Sequence, residues 1–147
     1  MTVMKYYTTK NGKTYFMKQD IRRAMADAYN EKSPATGGGI FWWHDDDLQT
    51  CNDYAESRLG KAFSYDNDGW KFYFTSREEA EKVVEDILSF CRKTGYEHEV
   101  RKRQEKIDYL TERLEHGGGS FKEEDRAEWE KRLAKAQAEL DALKAQE

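Results

Sequence analysis

The stretch KYYTTKNGKTYFM, residues 5–17, decides how the fold begins. Two runs rich in Tyr, Thr and Phe favour extended chain, and they are separated by Asn11-Gly12, a dipeptide that tolerates positive φ in a tight turn. The pattern predicts a β-hairpin. The domain therefore contains a sheet, although charged residues make up 37% of the chain.

Three helices are predicted beyond this hairpin from apolar residues at helical spacing. The first has an apolar stripe over residues 21–29 and stops before Ser33-Pro34. The second covers residues 46–59 and ends at Gly60. The third begins at the capping box Ser76-x-x-Glu79, and Gly95 is expected to end it because glycine is a frequent helix terminator.

Two further β segments are predicted between these helices. Residues 40–44, IFWWH, are short, bulky and aromatic and are expected to form a central strand. The sequence AFSY-DNDG-WKFYFT, residues 62–75, is expected to form a second hairpin. Side chains alternate along a strand, so Trp70, Phe72 and Phe74 should face one way, and the residues between them should face the other.

The composition changes after residue 96 to that of helices that pair. Residues 97–147 are expected to form an antiparallel helical hairpin of coiled-coil type about Gly117-Gly118-Gly119, with one narrow apolar seam. The fold class is therefore α+β: a small antiparallel sheet with about three helices in residues 1–96, followed by this hairpin. Two helices with so thin a seam are marginal alone, so a homo-oligomer through residues 97–147 is expected.

The composition also limits the class of protein. Twenty aromatic residues, against sixteen Leu, Ile and Val, predict a core built on rings. There is no long apolar run and no charged leader followed by an apolar stretch, so a cytoplasmic protein is expected. Cys51 and Cys91 fall on the apolar sides of predicted helices and are interpreted as buried thiols.

No motif in the sequence fixes a chemical activity. Gly37–Gly39 precede a strand instead of linking a strand to a helix, so they do not match a phosphate-binding loop. His44 and the aspartates after it resemble hard-metal ligands, but carboxylates are also favoured where a helix begins, and no metal site or cofactor is predicted. No nucleophile motif is present. The chain is therefore expected not to be an enzyme.

Two candidate binding surfaces follow from an uneven distribution of charge. Residues 42–68 carry a net charge of −5, whereas residues 1–32 carry +4. The acidic segment is predicted to contact a partner protein through Trp42, Trp43, Asp45, Asp47, Asp66 and Asp68. The basic segment is the alternative surface, for an anion, a nucleotide or a nucleic acid, and would use Lys18, Arg22, Arg23, Tyr7 and Tyr15.

The architecture resembles small phage or mobile-element accessory proteins that block bacterial defence systems, although no residue motif carries the resemblance. It implies a non-catalytic inhibitor, similar in kind to anti-CRISPR proteins, that binds a larger host protein, such as a nucleic-acid-handling defence complex. The alternative is a protein that sequesters a phosphorylated or cyclic nucleotide. A third hypothesis is a metal-dependent enzyme. No membrane partner is expected.

Overall fold

A computed structural model describes residues 4–31, 46–65, 67, 69–116 and 123–145 of the chain. The described residues form four helices and one small antiparallel sheet of three strands, so the protein is mixed but mostly helical. The chain divides into two compact units, Met1–Tyr96 and Glu97–Glu147. The predicted strand at residues 40–44 lies outside the described residues.

The sheet consists of β1 (Tyr7–Thr8), β2 (Thr14–Met17) and β3 (Lys71–Phe74). β2 lies in the centre and pairs antiparallel with both neighbours. The turn between β1 and β2 combines a bond from the Gly12 N–H to the Thr9 carbonyl (3.0 Å) with a φ of +84° at Gly12. Only the glycine takes the left-handed conformation, so this is a type I turn followed by a bulge.

The helices of the first unit cover one face of the sheet. α1 (Lys18–Tyr29) and α2 (Asp46–Leu59) match the predicted helices, and the apolar stripe of α1 is buried as expected. Phe16 and Phe72 project from the sheet into a core shared with these helices and with α3. Members of that core from the helices include Ile21, Met25, Cys51, Ala55, Val84, Ile87 and Cys91.

The predicted second hairpin is wrong in its first strand. Lys61–Ser64 form a short 3₁₀ helix directly after Gly60, which has a φ of +92° and ends α2. This turn buries Phe63, the one large apolar side chain of Lys61–Ser64, in the core. β3 pairs instead with β2, in the register Tyr15 to Tyr73 and Phe16 to Phe72.

α3 runs from Arg77 to His116, so the predicted helix end at Gly95 is also wrong. A Cβ at Gly95 would lie 2.0 Å from the Tyr29 carbonyl oxygen and 2.8 Å from the Tyr29 carbonyl carbon. This glycine therefore lets the backbone of α3 pass against the end of α1. Its role is close packing and not termination.

The predicted capping box at the start of α3 is present, but one of its two hydrogen bonds reaches a residue earlier than expected. The Glu79 N–H donates to the Ser76 Oγ at 3.2 Å, as a capping box requires. The Glu79 carboxylate reaches back to the N–H of Thr75 at 3.0 Å, one residue before the cap. The Thr75 hydroxyl also donates to this carboxylate. The hydroxyl hydrogen bond, and then the backbone one, lower the pKa of Glu79 from its ordinary value, because they favour the charged carboxylate.

In the second unit, the end of α3 packs against α4 (Glu123–Ala145). Ile107 and Leu110 of α3 form a buried cluster with Ala136 and Leu140 of α4, and Val100, Trp129 and Leu133 pack against it. Arg103 crosses between the helices. Its guanidinium pairs with Glu99 at 3.0 Å on its own helix and with Glu139 at 3.2 Å on α4.

Candidate nucleic-acid interface

The residues predicted to contact a partner protein fall almost entirely outside the part of the chain that the structure describes. The backbone of Asp47 belongs to α2, but its side chain is not among those described. The structure therefore does not test the acidic surface. The residues that lie wholly outside are Trp42, Trp43, Asp45, Asp66 and Asp68.

The predicted anion-binding residues separate into different environments. Lys18 is only 3% exposed, and its ammonium donates a hydrogen bond to the Tyr65 carbonyl. The Lys18 Nζ also lies 5.9 Å from the centre of the Phe63 ring. These contacts compensate for burying the charge, so Lys18 ties the 3₁₀ turn to the core instead of extending toward solvent.

Arg22 and Arg23 belong to α1, and Arg23 is exposed whereas Arg22 is half-buried. α1 packs in the core that receives Phe16 from β2. The neighbouring residue Tyr15 points to the opposite face of the sheet, because successive side chains of a strand alternate. The two arginines therefore do not join the surface that Tyr7 and Tyr15 form.

The outer face of the sheet carries a row of three tyrosines, one from each strand. Tyr7 stacks on Tyr15 with ring centres 5.1 Å apart and an interplanar angle of 19°. Tyr15 meets Tyr73 with ring centres 5.3 Å apart and an angle of 45°. Tyr7 is 40% exposed and Tyr73 is 55% exposed. We call Tyr7, Tyr15, Tyr73 and the adjacent Lys71 the tyrosine face.

Alternation and register explain why these rings meet. Tyr7, Tyr15 and Tyr73 are direct partners across the two ladders, and directly opposed residues of a sheet bring their side chains into contact. The other face takes Phe16 and Phe72, whose rings lie 5.8 Å apart in the core. β2 and β3 therefore place Tyr15 and Tyr73 outward and Phe16 and Phe72 inward, where burial is favourable.

The tyrosine face is also positively charged. The Lys71 Nζ lies 5.1 Å from the centre of the Tyr15 ring, which is a cation–π contact. Residues 4–17 and 71–76, which build the sheet and its turn, contain four lysines and no Asp or Glu. Among the described residues, Lys5, Lys10 and Lys13 form no ion pair, and all three are exposed. The charges of these lysines are therefore not neutralised by ion pairs within the described residues.

Sequence reasoning found Tyr7 and Tyr15 but missed Tyr73 and Lys71. The signal was present, because strand alternation already placed residues 71 and 73 on the side away from Phe72. What was missing was the pairing of β3 with β2, which are separated by more than fifty residues. That pairing completes the row of rings.

Other chemistry is limited in the described part of the chain. No group of three or more His, Cys, Asp and Glu side chains there is placed to hold a metal ion. A cavity of about 410 Å³ borders α1 and α3, and Asp27, Glu31 and Arg92 supply its charges. Arg92 pairs with Glu31 at 3.5 Å and with Glu85 at 3.0 Å, so acidic groups already engage its guanidinium.

Comparison of the chain with protein-family models, with curated proteins and with solved structures finds no match. No helix in the described residues has both the length and the apolar character needed to cross a membrane. The site must therefore be interpreted from its own geometry.

Proposed function

We propose that this protein is a non-catalytic binding protein whose tyrosine face holds single-stranded nucleic acid. The observation that carries the proposal is the row of Tyr7, Tyr15 and Tyr73 across three strands, with ring centres 5.1 and 5.3 Å apart, beside the Lys71 ammonium. Exposed aromatic rings on a sheet stack two or three unpaired bases in RNA-binding domains. Tyr15 is covered by Tyr7 and Lys71, so Tyr7 and Tyr73 are the rings that would receive bases.

The chemistry of the face supports a single strand over a duplex. A base can stack on an aromatic ring only when its own face is uncovered, and each such contact contributes about 1–3 kcal/mol. In a duplex the bases are stacked on one another, and only their edges are accessible in the grooves. Lys71 beside the rings, together with the exposed lysines in residues 4–17, supplies the attraction to phosphates that a strand of any sequence requires.

The same chemistry disfavours a protein partner on this face. Tyrosine is enriched in protein–protein interfaces, but lysine is depleted from them because its ammonium is costly to desolvate. Four lysines that form no ion pair within the described residues fit a polyanion better. The predicted inhibition of a host defence protein through the acidic segment remains a separate hypothesis, because its contact residues are not described. The predicted homo-oligomer likewise remains a prediction that light scattering tests.

The test is fluorescence anisotropy with labelled oligo-dT, oligo-rU and a duplex of equal length. The wild-type protein should bind the single strands more tightly than the duplex. Tyr73→Thr keeps a strand-favouring residue but removes the ring, and it should weaken binding of the single strands by about tenfold, the equivalent of about 1.4 kcal/mol. Lys71→Gln should reduce the slope of log K against log salt by about 0.7, the value for one phosphate contact.

Tyr65→Ala is the matched control, because Tyr65 is also exposed, at 52%, but lies outside the sheet. Its affinity for the oligonucleotides should equal that of the wild type. The proposal fails if the duplex binds as well as the single strands, or if Tyr73→Thr binds them with unchanged affinity.

A further inference from the structure

The second unit carries a groove between α3 and α4 that the tyrosine face does not involve. The groove has a volume of about 490 Å³, and its apolar lining includes Leu110 and Ala136, which belong to the buried cluster of this unit. Tyr109 of α3 and Trp129 of α4 also line it. Pockets for small ligands commonly have volumes of about 300–1,000 Å³, so the groove is large enough for one.

The two rings of the groove are arranged differently from the tyrosine row. Their centres are 6.3 Å apart and their planes are tilted by 54°, so Tyr109 and Trp129 do not lie flat on each other. The guanidinium carbons of Arg113 and Arg132 each lie 5.5 Å from the centre of the Trp129 ring. Tyr109 is 56% exposed and offers the more accessible aromatic surface.

The charges that line the groove are mostly positive. Lys106, Arg132 and Lys135 contribute cationic groups, and Glu139 contributes the one carboxylate among its lining residues in the described chain. That carboxylate is already paired with Arg103 at 3.2 Å, across the two helices. Among the described residues, neither Lys106 nor Lys135 forms an ion pair. The groove therefore combines an accessible ring with lysine ammonium groups that no carboxylate engages.

We propose that this interhelical groove binds a nucleotide, with the base on Tyr109 and the phosphates between Lys106, Arg132 and Lys135. An aromatic base with a phosphate group fits both features at once. The ring surface accepts the base by stacking, and the ammonium and guanidinium groups form charge-assisted hydrogen bonds to phosphate oxygens. A simple anion would use only the cations, and an apolar ligand would leave the ammonium groups of Lys106 and Lys135 without a counter-ion. Arg132, by contrast, already pairs with Glu128 at 3.5 Å.

The nucleotide could be free or part of a strand, and the two sources need separate probes. Isothermal titration calorimetry with ATP measures the free nucleotide, and anisotropy with labelled oligo-dT measures the strand. Lys135→Glu reverses one phosphate-binding charge, and Tyr109→Leu removes the ring. Each should weaken binding of ATP, oligo-dT or both by at least tenfold, and the probe affected identifies the source.

Lys131→Glu is the matched control, because it makes the same charge change on an exposed position of α4 that does not line the groove. It should leave both affinities within about twofold of the wild type, and all variants should keep the wild-type circular dichroism spectrum and Tm. Inorganic triphosphate should bind more weakly than ATP, because it has no base to stack on Tyr109.

Any of three results would overturn the assignment. The first is that Lys135→Glu and Tyr109→Leu both bind ATP and oligo-dT as the wild type does, and the second is that Lys131→Glu weakens binding as much as Lys135→Glu. The third is that inorganic triphosphate binds as tightly as ATP. The outcome is separable from that of the tyrosine face when the oligo-dT measurements of the groove variants are made in the Tyr73→Thr background. Tyr73→Thr tests the sheet and leaves the groove intact, so either proposal can fail while the other stands.

Discussion

Replacing Gly95 with alanine should destabilise the protein, although the same change stabilises most helix interiors. Alanine exceeds glycine in helix propensity by about 1 kcal/mol. At this position, however, the new Cβ would lie 2.0 Å from the carbonyl oxygen of Tyr29. Contacts under 3.0 Å are essentially never observed for a Cβ, so the two backbones would have to separate by about 1 Å.

The expected net effect is a loss of about 2 kcal/mol in the free energy of unfolding. Overpacking typically costs about 1–3 kcal/mol. We take the upper end because the atoms at Tyr29 belong to the backbone and cannot rotate away, and then subtract the gain in helix propensity. For a chain of this size, 2 kcal/mol corresponds to a fall in Tm of about 4–8 °C.

Urea denaturation followed by circular dichroism measures this change. Gly95→Ala should lower the midpoint without changing the slope, as expected for a change in stability alone. Lys93→Ala is the control, because Lys93 lies in the same helix but is exposed, and it should alter stability by less than about 0.5 kcal/mol. A Gly95→Ala protein as stable as the wild type, or more stable, would refute the close packing of α1 and α3.

Two further predictions concern buried groups. Arg103→Met should lower the free energy of unfolding, measured by chemical denaturation, by about 3 kcal/mol, because it leaves the buried Glu99 carboxylate without its cation. Arg126→Met removes one partner of an exposed pair and should lower it by less than about 0.5 kcal/mol. Equal losses for the two variants would contradict this prediction. The hydrogen bond with Cys51, and then burial, raise the pKa of Cys91. Above about pH 8.5 the thiol ionises in the unfolded chain but stays protonated in the folded protein. The free energy of unfolding should therefore fall above that pH by up to about 1.4 kcal/mol per pH unit. A Cys51→Ala/Cys91→Ala variant should lack that fall.

Helical periodicity was the most informative part of the sequence. The stripe over residues 21–29 predicted which side of α1 is buried, and residues 46–59 matched α2 in both bounds. These patterns succeed because each turn of a helix repeats the same local geometry. Gly95 shows their limit. A glycine that ends a helix and a glycine that admits a neighbouring backbone have the same identity, and only the position of Tyr29 distinguishes them.

Strand pairing was less predictable because it depends on residues far apart in the chain. Residues 62–65 alternate like a strand and precede a turn-like sequence, so a local hairpin was the simplest interpretation. In the structure, β3 reaches the central strand β2 instead, and burial of Phe63 requires only the 3₁₀ turn. The local sequence does not indicate whether a strand pairs with an adjacent segment or with a strand far away in the chain.

The candidate site followed the same division between local and distant information. Lys18 is two residues after Phe16, so strand alternation would have placed its side chain on the same, inward face. In the structure it does lie inward and bonds to the Tyr65 carbonyl. Tyr7 and Tyr15 were assigned to a basic aromatic surface from sequence, but a pair of rings on one hairpin is a common packing motif. The third ring changes that interpretation. Tyr73 extends the row to the far strand while remaining 55% exposed, so the row of rings spans the sheet and is accessible to solvent at Tyr73.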